Sequence, residues 1–198
     1  MARITGSNGA RTAAAIRQAA LGLIYRQGFA AMNLRDLAAE VGIQPSSLYN
    51  HITSKQALLF DLMQEHMQTL LDSTDAALAA AGPGLMERLR AFLAHHVLYH
   101  MERRQEVYIA NFELRALDPP NHRQIVAMRQ DYEARLMALL EEGVALGELV
   151  VGDIPVTAYA MLAMLTGICT WYRPSGRLEK AELVALHTEL ALNGIRRR

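Results

Sequence analysis

Six neutral hydrogen-bonding side chains crowd one short stretch: Gln44, Ser46, Ser47, Tyr49, Asn50 and His51. Their amide, hydroxyl and imidazole groups can pair with base edges and phosphate oxygens. A face meant only for water is more often built of Lys and Glu. Lys55 lies just beyond the stretch and Arg35 before it, and either cation can meet a phosphate. Other candidate chemistry is thinner. His96 and His100, four apart, could share a metal ion, with His95 and Glu102 close in sequence. No further ligand set has a zinc-like spacing, so they read as surface or pocket histidines and no metal is expected. Glu141 and Glu142 lack an acid/base partner motif and read as a charged face. No glycine-rich phosphate loop, nucleophile elbow or Cys/His pairing occurs, so neither an enzyme nor a cofactor is expected.

The elements that must hold these groups are helices. Ala, Leu, Met, Glu, Gln and Arg dominate, and no alternating β-branched run occurs. Thr12–Gln27 sets Ile16, Ala20, Leu23, Ile24 and Gln27 on one side, and Gly28 is placed to stop it. Leu34, Leu37, Ala38 and Val41 repeat with helical spacing behind Asn33, a good N-cap. Gly42 allows the positive φ of a tight corner. Pro45 suits the first turn of the next helix, whose Leu48 and Ile52 face inward. Ser54 can cap a fourth helix running to about Ala81. Gly82-Pro83-Gly84 is the clearest break. Beyond it Leu85–Met101, Gln105–Leu117, Asn121–Leu146, Ile154–Tyr172 and Leu178–Ile195 continue the pattern. The expected fold is all-α, with about nine helices. Helix, glycine turn and short helix over 34–52 is the outline a DNA-reading pair needs. An ordinary αα-hairpin with a polar outer face has the same outline.

Charge helps to separate the two. The 198 residues carry 20 basic and 20 acidic side chains. Residues 1–60 hold six of the basic ones (Arg3, Arg11, Arg17, Arg26, Arg35, Lys55) and two acids (Asp36, Glu40), a local +4 against −4 elsewhere. Only this first third is suited to approach a polyanion. The single cysteine, Cys169, excludes an intrachain disulfide and reads as a buried thiol. Arg17, Gln18, Arg26 and Gln27 interrupt the apolar run after Arg11, so no signal peptide is expected and the protein is placed in the cytoplasm. Arg196–Arg198 reads as a solvated tail.

From Arg11 to about Leu62 the chain resembles the TetR family of bacterial regulators. The resemblance rests on Ala-Ala-Leu-Gly-Leu-Ile-Tyr-Arg-Gln-Gly-Phe at 19–29 and Leu-Arg-Asp-Leu-Ala-Ala-Glu-Val-Gly-Ile at 34–43. Its most specific parts are Ser-Ser-Leu-Tyr-Asn-His-Ile at 46–52 and Ser-Lys-Gln-Ala-Leu-Leu at 54–59. Asn33 stands where a Thr is more usual, and Ile52 where a Phe is frequent. The resemblance implies an all-α homodimer with an N-terminal DNA-binding head and a C-terminal ligand-binding and dimerisation body. It implies a repressor released from a palindromic operator when an effector shifts the fourth helix. The expected division is a head over 1–53 and a body over 54–198. By position, Gln44, Ser46, Ser47, Tyr49 and His51 match recognition-helix contacts with double-stranded DNA. Tyr49 and Lys55 match phosphate contacts, and Arg35 a base or phosphate contact.

The body carries softer signals. Arg129-Gln-Asp-Tyr132, Glu141-Glu-Gly143, Gly147 and Trp171-Tyr172 with Gly176 resemble the TetR subgroup that governs fatty-acid or sterol catabolism and senses acyl-CoA. The implied effector is an acyl-CoA or a related lipid acid. Its expected pocket draws on Arg103, Arg104, Phe112, Met128, Tyr132, Met164 and Trp171. Residues 154–172 and 178–195 resemble the helices that form the family's dimer interface. The 19 residues Ile154–Tyr172 carry no formal charge and are long enough to cross a bilayer. Pro155, Thr157, Thr166, Gly167 and Thr170 favour instead a helix buried by the protein and its twin, and no membrane is expected. A helical lipid carrier or small enzyme with a merely structural head is the competing reading.

Overall fold

The computed structural model describes residues 6–196; Arg3 and the tail residues Arg197 and Arg198 lie outside it. The described chain is helical, as its composition requires. It begins with α1 (Gly6–Ala31), α2 (Leu34–Val41), α3 (Pro45–Leu48) and α4 (Lys55–Ala80). There follow α5 (Leu85–Glu102), α6 (Arg104–Phe112), a 3-10 turn at Leu114–Ala116 and α7 (Pro119–Ala145). The last are α8 (Ile154–Thr166), α9 (Ile168–Trp171) and α10 (Lys180–Asn193). Gly167 keeps right-handed dihedrals (φ −53°, ψ −23°), so α9 continues α8 and the two act as one rod. That rod matches the uncharged span read from the sequence.

Two compact units are formed. The first holds the residues up to His66 together with Gln105–Ile125; the second holds Met67–Arg104 and the chain from Val126 on. The inclusion of 105–125 with the N-terminal helices had no counterpart in the expected division at residue 53. In the first unit Ile16, Ala20, Ile24, Leu37, Leu48 and Leu59 are buried. Val107, Ile109 and Ala110 of α6 belong to the same apolar interior. In the second unit Leu89, Phe92, Leu93, Leu136, Leu140 and Leu165 are buried, and Phe92 stacks on Tyr132 at 5.3 Å. Arg135 grips Asp75 with two parallel bonds of 2.6 and 2.8 Å, fixing α7 to α4 within that unit.

Local chemistry explains the head's geometry. Asn33 caps α2: its Oδ1 accepts the Asp36 N–H at 2.8 Å. Gly42 closes α2 at φ +74°, ψ 31°, and its N–H reaches the Ala38 and Ala39 carbonyls. Ser54 Oγ accepts the Ala57 N–H at 2.9 Å and starts α4. The three caps stand where the sequence places them. Gly28 does not end α1. It sits inside it at φ +80°, ψ 157°, a break after which the helix resumes to Ala31.

A Cβ at residue 42 would meet nothing within 4 Å, so the backbone alone sets the effect of Gly42→Ala. Holding alanine in the left-handed region should lower unfolding free energy by about 1 kcal/mol. Urea unfolding checks this, with a lower midpoint at unchanged slope. An unchanged midpoint would show that the α2–α3 corner tolerates another conformation.

Candidate nucleic-acid interface

The α2–α3 pair turns one side inward and offers the other to solvent. Leu37, Ala38, Leu48 and Ile52 are buried. Arg35, Gln44, Ser46, Tyr49, Asn50 and His51 are exposed, and Ser47 is half-buried. α3 proper is one turn long, but Asn50 N–H bonds to Ser47 O (3.2 Å), and His51 and Ile52 N–H to Leu48 O (2.9 and 3.1 Å). These bonds carry the turn on to Ile52 and keep the six polar groups on one rigid face. Gln44 is the extended N-cap of α3 but makes no side-chain cap bond, so its amide is not consumed by the helix start. Tyr49 is 59% exposed. An aromatic ring left in water forgoes the burial energy it would gain in a core.

Lys55, expected to meet a phosphate, is half-buried. Its Nζ donates to Ala30 O at 3.2 Å and lies 4.4 Å from the centre of the Phe29 ring. Burial pulls its pKa down, and the Glu113 carboxylate opposes that pull. Next to it, Gln56 Nε2 donates to Ala116 O at 2.7 Å, and Gln56 Oε1 accepts the Asp118 N–H at 3.3 Å. Glu113 Oε1 accepts the Phe29 N–H at 3.1 Å. Phe29 directly follows the Gly28 break, which removes its N–H from the ordinary helical ladder. Arg26 pairs with Glu40 at 3.1 Å and Arg17 with Glu65, both across exposed surface. Sequence reading missed Gln56 and Glu113; nothing in local spacing marks a residue whose partner lies far along the chain.

The second unit holds a buried polar chain. His96 Nδ1 lies 2.8 Å from Tyr132 Oη, and His96 Nε2 lies 3.0 Å from Thr166 Oγ1. Thr74 hydrogen-bonds Tyr132 and stands 3.2 Å from His95 Nδ1. His100 Nδ1 donates to His96 O at 2.7 Å, and the two imidazoles stack with centroids 3.8 Å apart. The pair is therefore neither surface nor open pocket: both residues are core. The sequence allowed that placement only if the polar atoms found partners, and they do. Burial, then its neighbours His100 and His95, push His96 well below the usual imidazole pKa. Burial brings His100 down to about 4. Burial pushes the Tyr132 phenol upward, against the Thr74 bond. Among the described residues no group of three or more His, Cys, Asp or Glu could hold a metal ion.

The expected effector residues divide between the two units, Phe112 in the first and the others in the second. Phe112 belongs to the first unit, exposed, with its ring 4.6 Å from that of Tyr108. In the second unit Tyr132 joins the buried polar chain, while Met128 is half-buried. The Arg103 guanidinium lies 5.4 Å from the centre of the Tyr99 ring. Arg104 Nε donates to Cys169 O at 2.9 Å, and Cys169 is buried as expected. Trp171 is exposed and stacks on His187 at 5.5 Å. Met164 is also exposed and lines a groove of about 410 Å³ with Val150, Val156, Ala160, Leu190 and Gly194. One side of α8 (Ala158, Met161, Leu165) is core; the opposite side (Val156, Tyr159, Met164) is apolar yet exposed. Ile154–Trp171 has a mean hydropathy of 1.5, enough by length and composition to cross a membrane.

Comparison with known proteins decides what this head is. The profile described as bacterial regulatory proteins, tetR family, matches residues 16–62. That of the tetracyclin repressor-like C-terminal domain matches residues 83–195, more than half of the chain. The chain belongs to the TetR family. The exposed Gln44–His51 face thus lies in the DNA-binding region of a TetR-family transcriptional regulator, and residues 83–195 form its C-terminal domain. The chain is 25% identical over 197 residues to the transcriptional repressor KstR2 of Mycolicibacterium smegmatis, covering 98% of this chain and 96% of the relative. A TetR-family regulatory protein from Rhodococcus RHA1 superposes with a TM-score of 0.84 at 26% identity, over 92% of this chain and 95% of that one. AibR, solved with isovaleryl coenzyme A and operator DNA, superposes with a TM-score of 0.82 at 26% identity, over 90% and 97%.

Proposed function

We infer that this TetR-family regulator is a cytoplasmic repressor that binds a palindromic operator as a homodimer and leaves it when a lipophilic acyl-CoA or related acid binds the body. The exposed hydrogen-bonding face over the buried Leu48 and Ile52 carries this reading. Gln44, Ser46, Ser47 and His51 read base edges and phosphates, Tyr49 and Lys55 meet phosphates, and Arg35 reaches in from α2. Residues 1–53 then do the reading, while 54–198 bind the effector and the twin. Two identical heads on a twofold axis match half-sites about one helical turn apart. The apolar outer face of 154–172 and 178–195 serves the twin rather than a bilayer. The effector class is supported by AibR, whose structure pairs isovaleryl coenzyme A with operator DNA, and the sign of regulation by the repressor KstR2.

Selection from a random duplex library, followed by anisotropy titration on the enriched site, tests the reading. Affinity should fall steeply as salt rises, since released counterions drive phosphate contacts. Tyr49→Phe and Lys55→Ala should weaken every sequence alike. Gln44→Ala should instead relax preference at one base pair by about 1–3 kcal/mol. Isovaleryl-CoA and a long-chain acyl-CoA should each be titrated into the complex, and release by either supports the effector class. No enriched duplex at low salt would remove the DNA reading. Retention with both thioesters would remove the effector class alone.

A further inference from the structure

We propose that Glu113 and Gln56 are positioning residues for operator binding: together they latch the segment that follows α6 onto the DNA-binding head. The proposal rests on the DNA-binding reading above but concerns residues that never touch DNA.

The latch has two points, both inside the first unit. At Gly28 the backbone adopts φ +80°, ψ 157°, a region open essentially to glycine. The following N–H, on the buried Phe29, is thereby withdrawn from the α1 ladder, and the Glu113 carboxylate takes it at 3.1 Å. A carboxylate suits this place, because a charged acceptor makes a strong hydrogen bond to a backbone N–H. The same carboxylate is the opposing charge for Lys55, which holds Ala30 O and covers the Phe29 ring. At the second point one amide grips two backbone groups: Gln56 Nε2 donates to Ala116 O, and its Oε1 accepts from Asp118 N–H. Tyr108 and Phe112 add an aromatic contact, with Tyr108 edge-on to Tyr25 at 4.9 Å.

Chain connectivity gives the latch its purpose. Arg104, the first residue of α6, belongs to the second unit, where its Nε holds the Cys169 carbonyl. The rest of α6 and the residues to Ile125 belong to the first unit. The chain thus passes from the second unit into the first within α6. Two heads can engage one duplex only when each recognition face is held in a fixed orientation. A loosened head must be ordered on binding, and that ordering is subtracted from affinity.

The test uses the full chain and three variants: Glu113→Ala, Gln56→Ala and Glu113→Gln. Operator affinity is read by anisotropy on the selected duplex. Amide exchange at Phe29 is read by NMR or mass spectrometry, and global unfolding by urea. Glu113→Ala and Gln56→Ala should each weaken operator binding about tenfold. Glu113→Ala should also speed Phe29 exchange at least tenfold, because the amide loses the carboxylate that accepts it. Glu113→Gln keeps an acceptor oxygen at the same place and should restore both within about threefold. Wild-type affinity in both alanine variants overturns the proposal, and so does a Glu113→Gln variant as impaired as Glu113→Ala. If Glu113→Ala fails to fold by urea titration, Gln56→Ala decides alone: unchanged affinity overturns the latch. Failure of the wild type to bind any duplex would instead condemn the DNA-binding reading, with Phe29 exchange still reporting on the contact itself.

Discussion

Val156→Glu combined with Leu190→Glu should yield a folded monomer that no longer holds its operator. Both side chains are large, apolar and in water, 64% and 62% exposed. They line the same groove between α8 and α10, together with Met164 and Val150. A soluble monomer seldom leaves such a continuous apolar surface uncovered. Neither substitution removes a core contact, so the folded protomer should keep its helices and its unfolding midpoint within about 0.5 kcal/mol. Two carboxylates on each side of a twofold interface would instead face one another and lose their water. In the proposed homodimer, loss of the twin removes the second half-site contact, and operator affinity should drop about a hundredfold or more. Light scattering after gel filtration measures the mass, and anisotropy the binding. A double variant that stays dimeric would place the interface elsewhere, and a wild type that enters only the detergent phase would point to a bilayer.

Acid should weaken the fold as soon as pH falls below the ordinary imidazole range. His100 is held near a pKa of about 4 by burial, against an unfolded value of about 6.5. Between those two values the unfolded chain binds the proton and the folded chain does not, so stability falls as pH is lowered. The whole contribution is present above pH 6.5 and is gone below the folded value; for His100 it amounts to about 3 kcal/mol. His96, pushed down by burial and by its histidine neighbours, acts with the same sign. Asp75, lowered by its bond to Arg135, loses its contribution only when pH falls into the carboxylate range. Glu133, raised by burial, works in the opposite direction. His100→Gln separates these effects, since an amide can still donate to His96 O but cannot titrate. Urea unfolding at pH 7, 5.5 and 4.5 should show a marked loss for the wild type and a smaller one for the variant. Equal losses in both would show that the stacked imidazoles are not the acid-sensitive element.

Much of the head was legible because its determinants are local. Asn33, Gly42, Pro45 and Ser54 act on the backbone within three or four residues of themselves, and each does what its type dictates. The inward set Leu37, Ala38, Leu48 and Ile52 follows from helical spacing alone. Gly28 shows the limit of such rules. Glycine after an apolar run usually ends a helix, yet here the chain resumes because a distant carboxylate satisfies the N–H that the break exposes. Spacing put His96 and His100 together but could not choose between surface, pocket and core. Tyr132 and Thr166, which supply the missing hydrogen bonds, lie on other helices.

The Gln44–His51 face was thus readable by itself: residue types set its polarity, and two buried residues at helical spacing set its direction. Tertiary structure alone decided what surrounds it. It turned Lys55 toward Ala30, joined 105–125 to the head, buried the histidine pair and left one flank of α8 apolar and open. The reason is range. Caps and periodicity act through neighbouring residues, whereas a latch, a buried polar chain or an open face depends on pairings made across tens of residues, which only the folded chain brings within hydrogen-bonding distance.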